Sequence, residues 1–411
     1  MSTTNLLLQP VKIGKKTVPN RIAMNAMECA DADESGNPTE RTYARYEKLF
    51  EGEAGFIDLE AIVCSRDNLS SAHQLSVTRG NAKALEKFTR RLKEINSDNV
   101  FVFQLTHNGE YSNPGVSKPV RVSDTPLYGF EYAHMIGDDE IGRIVDEFVE
   151  SAKVAHDAGA DGLDIKFCTG YLGSQILRPF NSRKWKYGGA WENRRQFAFD
   201  IVEKIVKAVN DPDFIIGSKV SLFEGFPGGQ GTAGCDSSIM DLSESIDLIK
   251  GLEERGASYI IQSGGAPRAT VALAKPEKNA PYMAYLQHYF SKVCRDSLRP
   301  ETVVIGSGYS IFRDGHNNPN FKSVDPEKNS LAYWGNKNIA EGVTDMVALG
   351  RQSLADPLLA KKFKEGNEKN VDWCTACDKC SFLLVNQANV GCVVYNPPYA
   401  GICREVMARG K

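Results

Sequence analysis

Eight short apolar segments alternate along the chain with longer segments of helical periodicity, and this alternation restricts the fold more than any other feature. The short segments are rich in β-branched residues and many end in Gly, His or Arg, as buried strands followed by turns do. The last helical segment is expected at 353–365. The predicted strands lie at 21–27, 56–63, 100–107, 162–167, 215–222, 259–264, 302–308 and 345–351.

Strands that are apolar on both faces, each followed by a helix, predict an α/β protein built as a closed parallel (β/α)8 TIM barrel. The competing interpretation is an open doubly wound sheet, which requires a GxGxxG sequence directly after the first strand. Residues 24–36, MNAMECADADESG, contain no such sequence. We therefore expect the barrel to occupy residues 1–365 and a cysteine-rich segment to follow at 366–411.

Charge and hydropathy argue against several classes of function. The 411 residues carry a net charge of −3, with acidic and basic side chains interleaved. No basic stripe indicates nucleic acid or an anionic membrane as a partner. The apolar run near the N-terminus is too short for a signal peptide or a membrane span. A cytoplasmic protein that acts on a small molecule is the expectation.

The residues at the carboxyl ends of the predicted strands have the chemistry of a ligand site, because these ends meet at the active face of a parallel barrel. The seventh and eighth ends are rich in glycine and finish on an arginine, which suits a phosphate held by backbone N–H groups. A turn explains any single glycine equally well. Amide, imidazole and ammonium groups at the other ends suit a planar ligand with carbonyl and ring-nitrogen edges. The strand-end set is Ala26, Met27, Glu60, Ala61, Gln104, His107, residues 166–171 with Lys166 and Tyr171, Lys219, residues 263–265, Gly306, Ser307, Gly308, Gly350 and Arg351.

Four of the ten cysteines cluster near the C-terminus. Cys374, Cys377 and Cys380 have C-x2-C-x2-C spacing, and Cys392 follows as a remote fourth. A disulfide is disfavoured in a reducing cytoplasm, and zinc favours two separated C-x2-C pairs. Three closely spaced thiolates with a remote fourth are typical of a [4Fe–4S] site. Zinc binding and a structural role as buried small residues are the alternatives.

Ordered sequence motifs resemble the Old Yellow Enzyme family of FMN-dependent NAD(P)H:flavin oxidoreductases. The cysteines narrow the resemblance to 2,4-dienoyl-CoA reductases and enoate reductases, although those relatives show C-x2-C-x3-C. They also continue into flavin and nucleotide domains that these 411 residues do not include, so a redox partner or a homo-oligomer is a further expectation. The motifs, which cover nearly all of 5–365, include LLQPVKIGKKTVPNRIAMNAM, GFIDLEAIV, FQLTHNGEYS, GYLGSQILRPFNSRKWKYGGAWENRRQF, VVIGSGYS and DMVALGRQSLADP.

The resemblance implies roles for the strand-end residues. Lys219 stands where the family usually has an arginine beside the flavin, and a cation there stabilises the anionic reduced ring. His107 would lie near the ring or, alternatively, cap its own loop as a structural histidine. The resemblance assigns the flavin ring to Ala26, Met27, Ala61 and Gln104, with Gln104 reading the pyrimidine edge, and the phosphate to Gly306, Ser307, Gly308, Gly350 and Arg351.

The substrate end departs from the family pattern. Lys166 and Thr169 occupy positions at which many members have a His–x–x–His or His–x–x–Asn pair for the carbonyl oxygen of the substrate. Tyr171 takes the position of a proton donor in the dienoyl-CoA reductase branch, and a packed loop aromatic is the alternative. That branch also uses a histidine after the sixth strand, and none occurs in SGGAPRAT at 263–270.

These features predict an enzyme that transfers hydride from NAD(P)H through FMN to an activated alkene of the enone, enoate or enoyl type. Tyr171 would protonate the α-carbon, and Lys166 would polarise the activating group. One alternative is an FMN/Fe–S electron-transfer subunit that works with a partner protein. Another is a flavin-free lyase that uses Lys166 or Lys219 as a Schiff-base nucleophile.

Overall fold

A closed barrel of eight parallel strands is the centre of the computed structural model, which describes residues 5–124, 131–278, 280–317 and 325–409. The strands in these ranges are β1 (Val11–Ile13), β2 (Lys16–Val18), β3 (Ile22–Met24), β4 (Phe56–Val63), β5 (Val100–Thr106), β6 (Val120–Arg121), β7 (His134–Met135), β8 (Gly162–Phe167), β9 (Ile215–Ser221), β10 (Tyr259–Ser263), β11 (Val303–Gly306) and β12 (Met346–Leu349). The barrel order is β3, β4, β5, β8, β9, β10, β11 and β12, and β12 pairs with β3 to close it. The predicted (β/α)8 TIM barrel is confirmed, and each predicted strand segment contains one barrel strand.

Every barrel strand is followed in the chain by at least one helix. The helices of the described ranges are α1 (Glu40–Glu51), α2 (Ala82–Ile95), α3 (Asp138–Asp157), α4 (Leu172–Leu177), α5 (Trp191–Val209), α6 (Ser243–Glu254), α7 (Val271–Ala274), α8 (Met283–Ser297), α9 (Leu331–Ala340), α10 (Arg351–Ala355), α11 (Leu359–Lys364), α12 (Lys379–Val385) and α13 (Pro397–Arg409). In α3, the side chains of Ile141, Ile144, Val145 and Phe148 are buried on one face, as the 3.6-residue period requires. None of these helices has the length and apolar character needed to cross a membrane.

The expectation of one helix at 353–365 is wrong, because the structure has two short helices there. α10 ends at Ala355 and α11 begins at Leu359. Pro357 lies between them, and a proline has no N–H to donate and disfavours helical geometry at the residue before it. The backbone of Asp356 is accordingly extended.

The β1–β2 hairpin lies against the amino-terminal end of the barrel. Ile13 and Val18 are buried in one apolar cluster with Phe56, Val100 and Val303, which are the first residues of their strands. This end of the barrel is therefore filled with apolar side chains. The opposite end, here called the mouth, is where the carboxyl ends of the strands meet.

The cysteine-rich segment packs on the barrel through a small apolar cluster of its own. Leu383, Val390, Tyr399 and Cys403 of the segment are buried together with Cys29, which follows β3. The N–H of Val390 also donates to the carbonyl oxygen of Cys29 over 2.9 Å. The segment is thus attached beside the mouth, and its division from the barrel as a separate unit at 366–411 stays a prediction.

The barrel interior explains the glycine at position 217. A Cβ atom there would lie 2.3 Å from the buried Tyr259 ring, whose hydroxyl donates to the carbonyl oxygen of Leu163 over 2.6 Å. We predict that Gly217→Ala lowers the free energy of unfolding by about 1–3 kcal/mol, because overpacking displaces that ring. Denaturant titration with far-UV circular dichroism measures the change.

Gly142→Ala is the matched control, because Gly142 lies in α3 and nothing lies within 4 Å of an added Cβ. That variant should raise the free energy of unfolding by about 0.4–1 kcal/mol, since alanine restricts the unfolded chain more than glycine does. Equal effects of the two substitutions would contradict the packing argument.

Candidate active site

The Gln104 side chain lies between two buried carboxyl groups. Its Nε2 atom donates to Asp58 Oδ2 over 3.1 Å and to Asp164 Oδ2 over 2.6 Å. An amide NH2 group has two donors, so both are engaged and Oε1 is left as an acceptor. Burial raises the pKa of Asp58 well above its usual range, and the charge of Asp164 raises it further. The raised pKa favours the protonated form of Asp58 and leaves the negative charge of the pair on Asp164.

Lys219 supplies a positive charge beside this pair, on β9. Its charge opposes the effect of burial on the pKa of Asp58 and of Asp164. Within the described ranges, the Lys219 ammonium forms no salt bridge. It is therefore positioned to attract an anionic edge of a ligand at the mouth.

Tyr171, which follows β8, is held by a carboxylate from the end of β3. Its hydroxyl donates to Glu28 Oε2 over 2.8 Å, and the hydroxyl of Ser70 donates to the other oxygen of Glu28. Burial raises the pKa of Tyr171 well above its usual range, and Glu28 raises it further, so the phenol is protonated. The Nζ atom of Lys166 lies 3.4 Å from the centroid of the Tyr171 ring. Burial lowers the pKa of Lys166.

His107 is buried at the end of β5 and is neutral, because burial lowers its pKa to about 3. Its Nδ1 atom accepts a hydrogen bond from the N–H of Gly109 over 3.1 Å. The proton of the neutral ring therefore lies on Nε2, which has no partner among the described residues. His107 caps its own loop with one nitrogen and has a free donor on the other.

The glycines after β11 are required by packing, whatever they bind. A Cβ atom on Gly306 would lie 2.8 Å from Ser291 Oγ, and one on Gly308 would lie 2.9 Å from Gln287 Cβ. Gly308 also has φ of 94°, a conformation that favours glycine. Gly350 is different, because an added Cβ would meet only the sulfur of Met27, at 3.3 Å.

Ser307 and Arg351 have protein partners at the mouth. The Ser307 hydroxyl donates to the carbonyl oxygen of Gln262 over 2.7 Å, and its N–H donates to Gln262 Oε1 over 3.2 Å. The Arg351 guanidinium donates to the carbonyl oxygen of Pro276 over 2.6 Å and to Asp378 Oδ1 over 3.3 Å. Arg351 is thus bound to the cysteine-rich segment, and its role as a phosphate ligand stays a prediction.

The four clustered cysteines line one pocket at the edge of the mouth, together with Arg351 and Asp378. Burial raises the pKa of Cys374 and of Cys392, and it raises the pKa of Cys380 to about 11. Arg351 opposes this effect at Cys374 and Cys380. No three ligand-type side chains of the described residues lie close enough together to hold a single metal ion.

Hydrogen bonds fix this pocket to the barrel. The N–H of Cys374 donates to Gln352 Oε1 over 2.8 Å, and Gln352 Nε2 donates to the carbonyl oxygen of Asp372 over 3.0 Å. Lys275 Nζ lies 2.6 Å from Asp378 Oδ2. The pocket is therefore anchored to the chain after β10 and after β12.

Sequence reasoning missed Glu28, Asp58 and Asp164. A signal for the two aspartates was present, because FIDLEAIV and GLDIKF each place a carboxylate inside an otherwise apolar strand. Such a residue is rarely buried without a partner. Glu28 had no comparable signal, since only the closed barrel brings it to Tyr171.

Comparison with known proteins gives a consistent result. Residues 6–263 match the family described as NADH:flavin oxidoreductase / NADH oxidase. An NADH oxidase of Thermoanaerobacter brockii is 28% identical over 390 residues, covering 93% of this chain and 52% of that protein. A cinnamate reductase of Clostridium sporogenes is 27% identical over 419 residues, which cover 95% of this chain and 57% of that protein. A solved structure of 2-naphthoyl-CoA reductase with 2-naphthoyl-CoA is 20% identical and has a TM-score of 0.78. The match covers 97% of this chain and 58% of that one.

A (β/α)8 barrel with amide, ammonium and imidazole groups at its mouth has the architecture of a flavin-dependent oxidoreductase. The chain belongs to the NADH:flavin oxidoreductase / NADH oxidase family, and the resemblance to Old Yellow Enzyme is confirmed. Members of this family are enzymes that use FMN with NAD(P)H. The chain spans about half the length of the curated relatives reported above.

The side chains at the mouth fit FMN. Gln104 Oε1 is oriented to accept a hydrogen bond, as the N–H of a pyrimidine edge requires, and Lys219 provides a cation. Two buried polar atoms beside them, Asn25 Oδ1 and His107 Nε2, have no partner within the described part of the chain. Buried polar atoms are seldom left unpaired in a protein without a reason such as a ligand.

We predict that His107 contributes to stability in a pH-dependent way. Its folded-state pKa of about 3 lies below the usual value, so the unfolded chain binds the proton more readily. The contribution is present above about pH 6.5 and is lost by about 1.4 kcal/mol per unit as pH falls toward the folded pKa. The free energy of unfolding of wild type, minus that of His107→Gln, should fall over this range. A difference that is independent of pH would show that His107 is charged or exposed.

Proposed function

We propose that this chain is an FMN-dependent ene-reductase, in which hydride passes from NAD(P)H to FMN and then to an activated alkene. The observation that carries the proposal is the protonated Tyr171 phenol at the mouth, held by Glu28 with the Lys166 ammonium on its ring. A buried acid beside a cation is what protonation of an activated alkene requires. In this proposal the barrel at 1–365 is the FMN unit and 366–411 carries an iron–sulfur site.

The strand ends supply the contacts for FMN. Gln104 reads the pyrimidine edge with Oε1, and Lys219 balances the charge of the reduced ring. The N–H of Arg351, which opens α10, and the N–H groups at the start of the 3-10 helix Tyr309–Ile311 would bind the phosphate. The further residues assigned to FMN are Ala26, Met27, Ala61, His107, Gly306, Ser307, Gly308, Gly350 and Arg351.

The chain's own residues perform the proton chemistry. Bound FMN supplies the hydride that reaches the β-carbon. Lys166 donates a hydrogen bond to the activating oxygen, which stabilises negative charge as it develops there. Tyr171 gives its proton to the α-carbon, and the resulting phenolate regains a proton from water. Glu28 keeps the phenol oriented between turnovers.

The charges near Tyr171 favour an alkene activated by a carboxylate or another electron-rich carbonyl group. Besides Lys166, the Arg268 guanidinium lies 4.6 Å from the Tyr111 ring centroid, and that ring lies 5.7 Å from the Tyr171 ring. Two cations thus lie on the same side of the mouth. The relative named cinnamate reductase is named for an α,β-unsaturated carboxylate, which fits this arrangement.

An electron-transfer subunit is the second candidate function. The cysteine pocket and the mouth share the Arg351 side chain, so a cluster there would lie beside the flavin. In that case a partner protein, rather than an alkene, would take the electrons.

Anaerobic half-reactions test the proposal. We predict that NADH or NADPH bleaches the flavin absorbance of the purified chain and that cinnamate, as an α,β-unsaturated carboxylate, restores it. Tyr171→Phe should leave the bleaching rate unchanged and slow the restoration by about 10²–10⁴-fold, because the general acid is lost. Stopped-flow absorbance measures both rates.

Tyr111→Phe is the matched control, because it removes a neighbouring phenol oxygen and keeps the ring. Both half-reactions should then retain their wild-type rates. Restoration by a redox protein but by no unsaturated carboxylate, enone or enoyl thioester would favour the electron-transfer subunit. Equal rates for Tyr171→Phe and wild type would assign the proton to another donor.

The four cysteines that share one pocket support a [4Fe–4S] cluster bound by Cys374, Cys377, Cys380 and Cys392. We predict that anaerobically purified protein contains about four iron and four acid-labile sulfide atoms per chain, as a cubane requires. Cys377→Ser should lower both, because one thiolate ligand is removed. Cys235→Ser is the control, since Cys235 is also exposed and lies outside the pocket. Zinc in place of iron, or neither metal, would contradict the prediction.

A further inference from the structure

Three neighbouring barrel strands bring two carboxyl groups together around one amide. Asp58 is on β4, Gln104 is on β5 and Asp164 is on β8, and Gln104 pairs in register with Asp164. Asp58 is 2% exposed and Asp164 is fully buried. One oxygen of each carboxyl group, Oδ1, has no hydrogen-bond partner among the described residues. The pair therefore has unused capacity for a proton.

The charges that face the pair are few. Lys219 on β9 acts on both carboxyl groups, and Lys166 on β8 acts on Asp164. The thiol of Cys168 also lies within electrostatic reach of Asp164. With one proton on Asp58, the pair carries a single negative charge that Lys219 balances. A second negative charge added beside Lys219 competes with the pair for that cation.

The uncharged groups around the pair do not neutralise its negative charge. The N–H of Ala26, after β3, donates to Asp58 Oδ2 over 3.3 Å. The hydroxyl of Tyr259, on β10, donates instead to the carbonyl oxygen of Leu163. The two N–H groups of Gln104 are already used. A proton is thus the available means of neutralising the pair.

We propose that the Asp58–Asp164 pair takes up one proton from solvent when a flavin bound at this mouth is reduced. The inference rests on the proposed function, because it requires FMN beside Gln104 and Lys219. Hydride delivers two electrons and one proton to the ring and leaves it anionic. Lys219 balances that anion, and Asp164 binds a solvent proton, so that both carboxyl groups become neutral. In total the flavin ring and the carboxyl pair gain two electrons and two protons, and no other bond is made or broken.

Asp58 and Asp164 are positioning residues in this scheme, because they act on the flavin through Gln104 and Lys219. Burial already raises the pKa of each acid, and the charge of Asp164 raises the pKa of Asp58 further. A like charge nearby raises such a pKa further. Burial and an added like charge both favour proton uptake by the pair when the flavin is reduced.

The dependence of the two-electron midpoint potential on pH tests the proposal. In wild-type holoenzyme the slope between neutral and moderately alkaline pH should approach about 59 mV per pH unit, which is twice the 29.6 mV of a tenfold change for two electrons. In Asp164→Asn it should fall to about 30 mV per pH unit, because the carboxyl group that takes up the second proton is gone. Anaerobic spectroelectrochemical titration measures the slope.

An infrared difference spectrum gives a second readout that does not depend on turnover. Reduction of the wild-type protein, labelled with 13C-aspartate, should produce a band of a neutral carboxyl group that shifts in D2O. Asp164→Asn should abolish that band. If Asp164→Asn does not fold, the presence or absence of the band in the wild-type protein decides the question.

Glu60→Gln is the matched control. Glu60 is a buried acid on the same strand, and burial raises its pKa to about 7, but it is bound to Arg45 and to the N–H of Cys29. Its variant should keep the wild-type slope, and a lower slope would assign the proton to Glu60 and overturn the proposal. If FMN is bound and the slope is near about 30 mV per pH unit in both wild type and Asp164→Asn, the proposal alone is overturned. A chain that binds no FMN overturns it together with the proposed function.

Discussion

Closure of the parallel ladder between β12 and β3 is the constraint on which the rest of the structure depends. Val347, Ala348 and Leu349 pair in register with Ile22, Ala23 and Met24. The residues after the first and last barrel strands therefore lie side by side, although almost the whole chain separates them in sequence. Closure also removes the open edges of the sheet. All eight strand ends then point to one mouth, where side chains of different chemistry are held on rigid strands instead of flexible loops.

This arrangement buries charged and polar side chains at the mouth, and their burial costs free energy of folding. A buried polar atom without a partner costs about 1–3 kcal/mol, and several such atoms lie at the mouth within the described ranges, among them Asp58 Oδ1, Asp164 Oδ1, Asn25 Oδ1 and His107 Nε2. Protonation of Asp58 reduces this cost, and Tyr171 and Glu28 reduce it by pairing with each other. What is left unpaired is a pattern of donors and acceptors beside the Lys219 ammonium. A flavin ring supplies the complementary groups.

The architecture could be predicted from the sequence and the pairing of side chains could not. Buried strands such as FIDLEAIV are apolar on both faces, so their positions and type follow from composition alone. The helix expected at 353–365 failed at Pro357, where a local rule outweighs the periodic pattern. Of the site, the strand-end positions followed from the barrel, but no spacing shows that Tyr171, after β8, would meet Glu28, after β3, across the mouth. Side-chain contacts of this kind depend on the final register and tilt of the strands.

Arg351 shows how strongly context decides the role of a residue. In sequence it ends the eighth strand and suits a phosphate, whereas in the structure its guanidinium donates to Asp378 and to the carbonyl oxygen of Pro276. A guanidinium has five donors, so these two contacts leave others for a ligand at the mouth. The same contacts tie α10, and with it Gly350, to the cysteine-rich segment. Whatever the cysteines bind, this segment holds the Arg351 side chain at the edge of the mouth through Asp378.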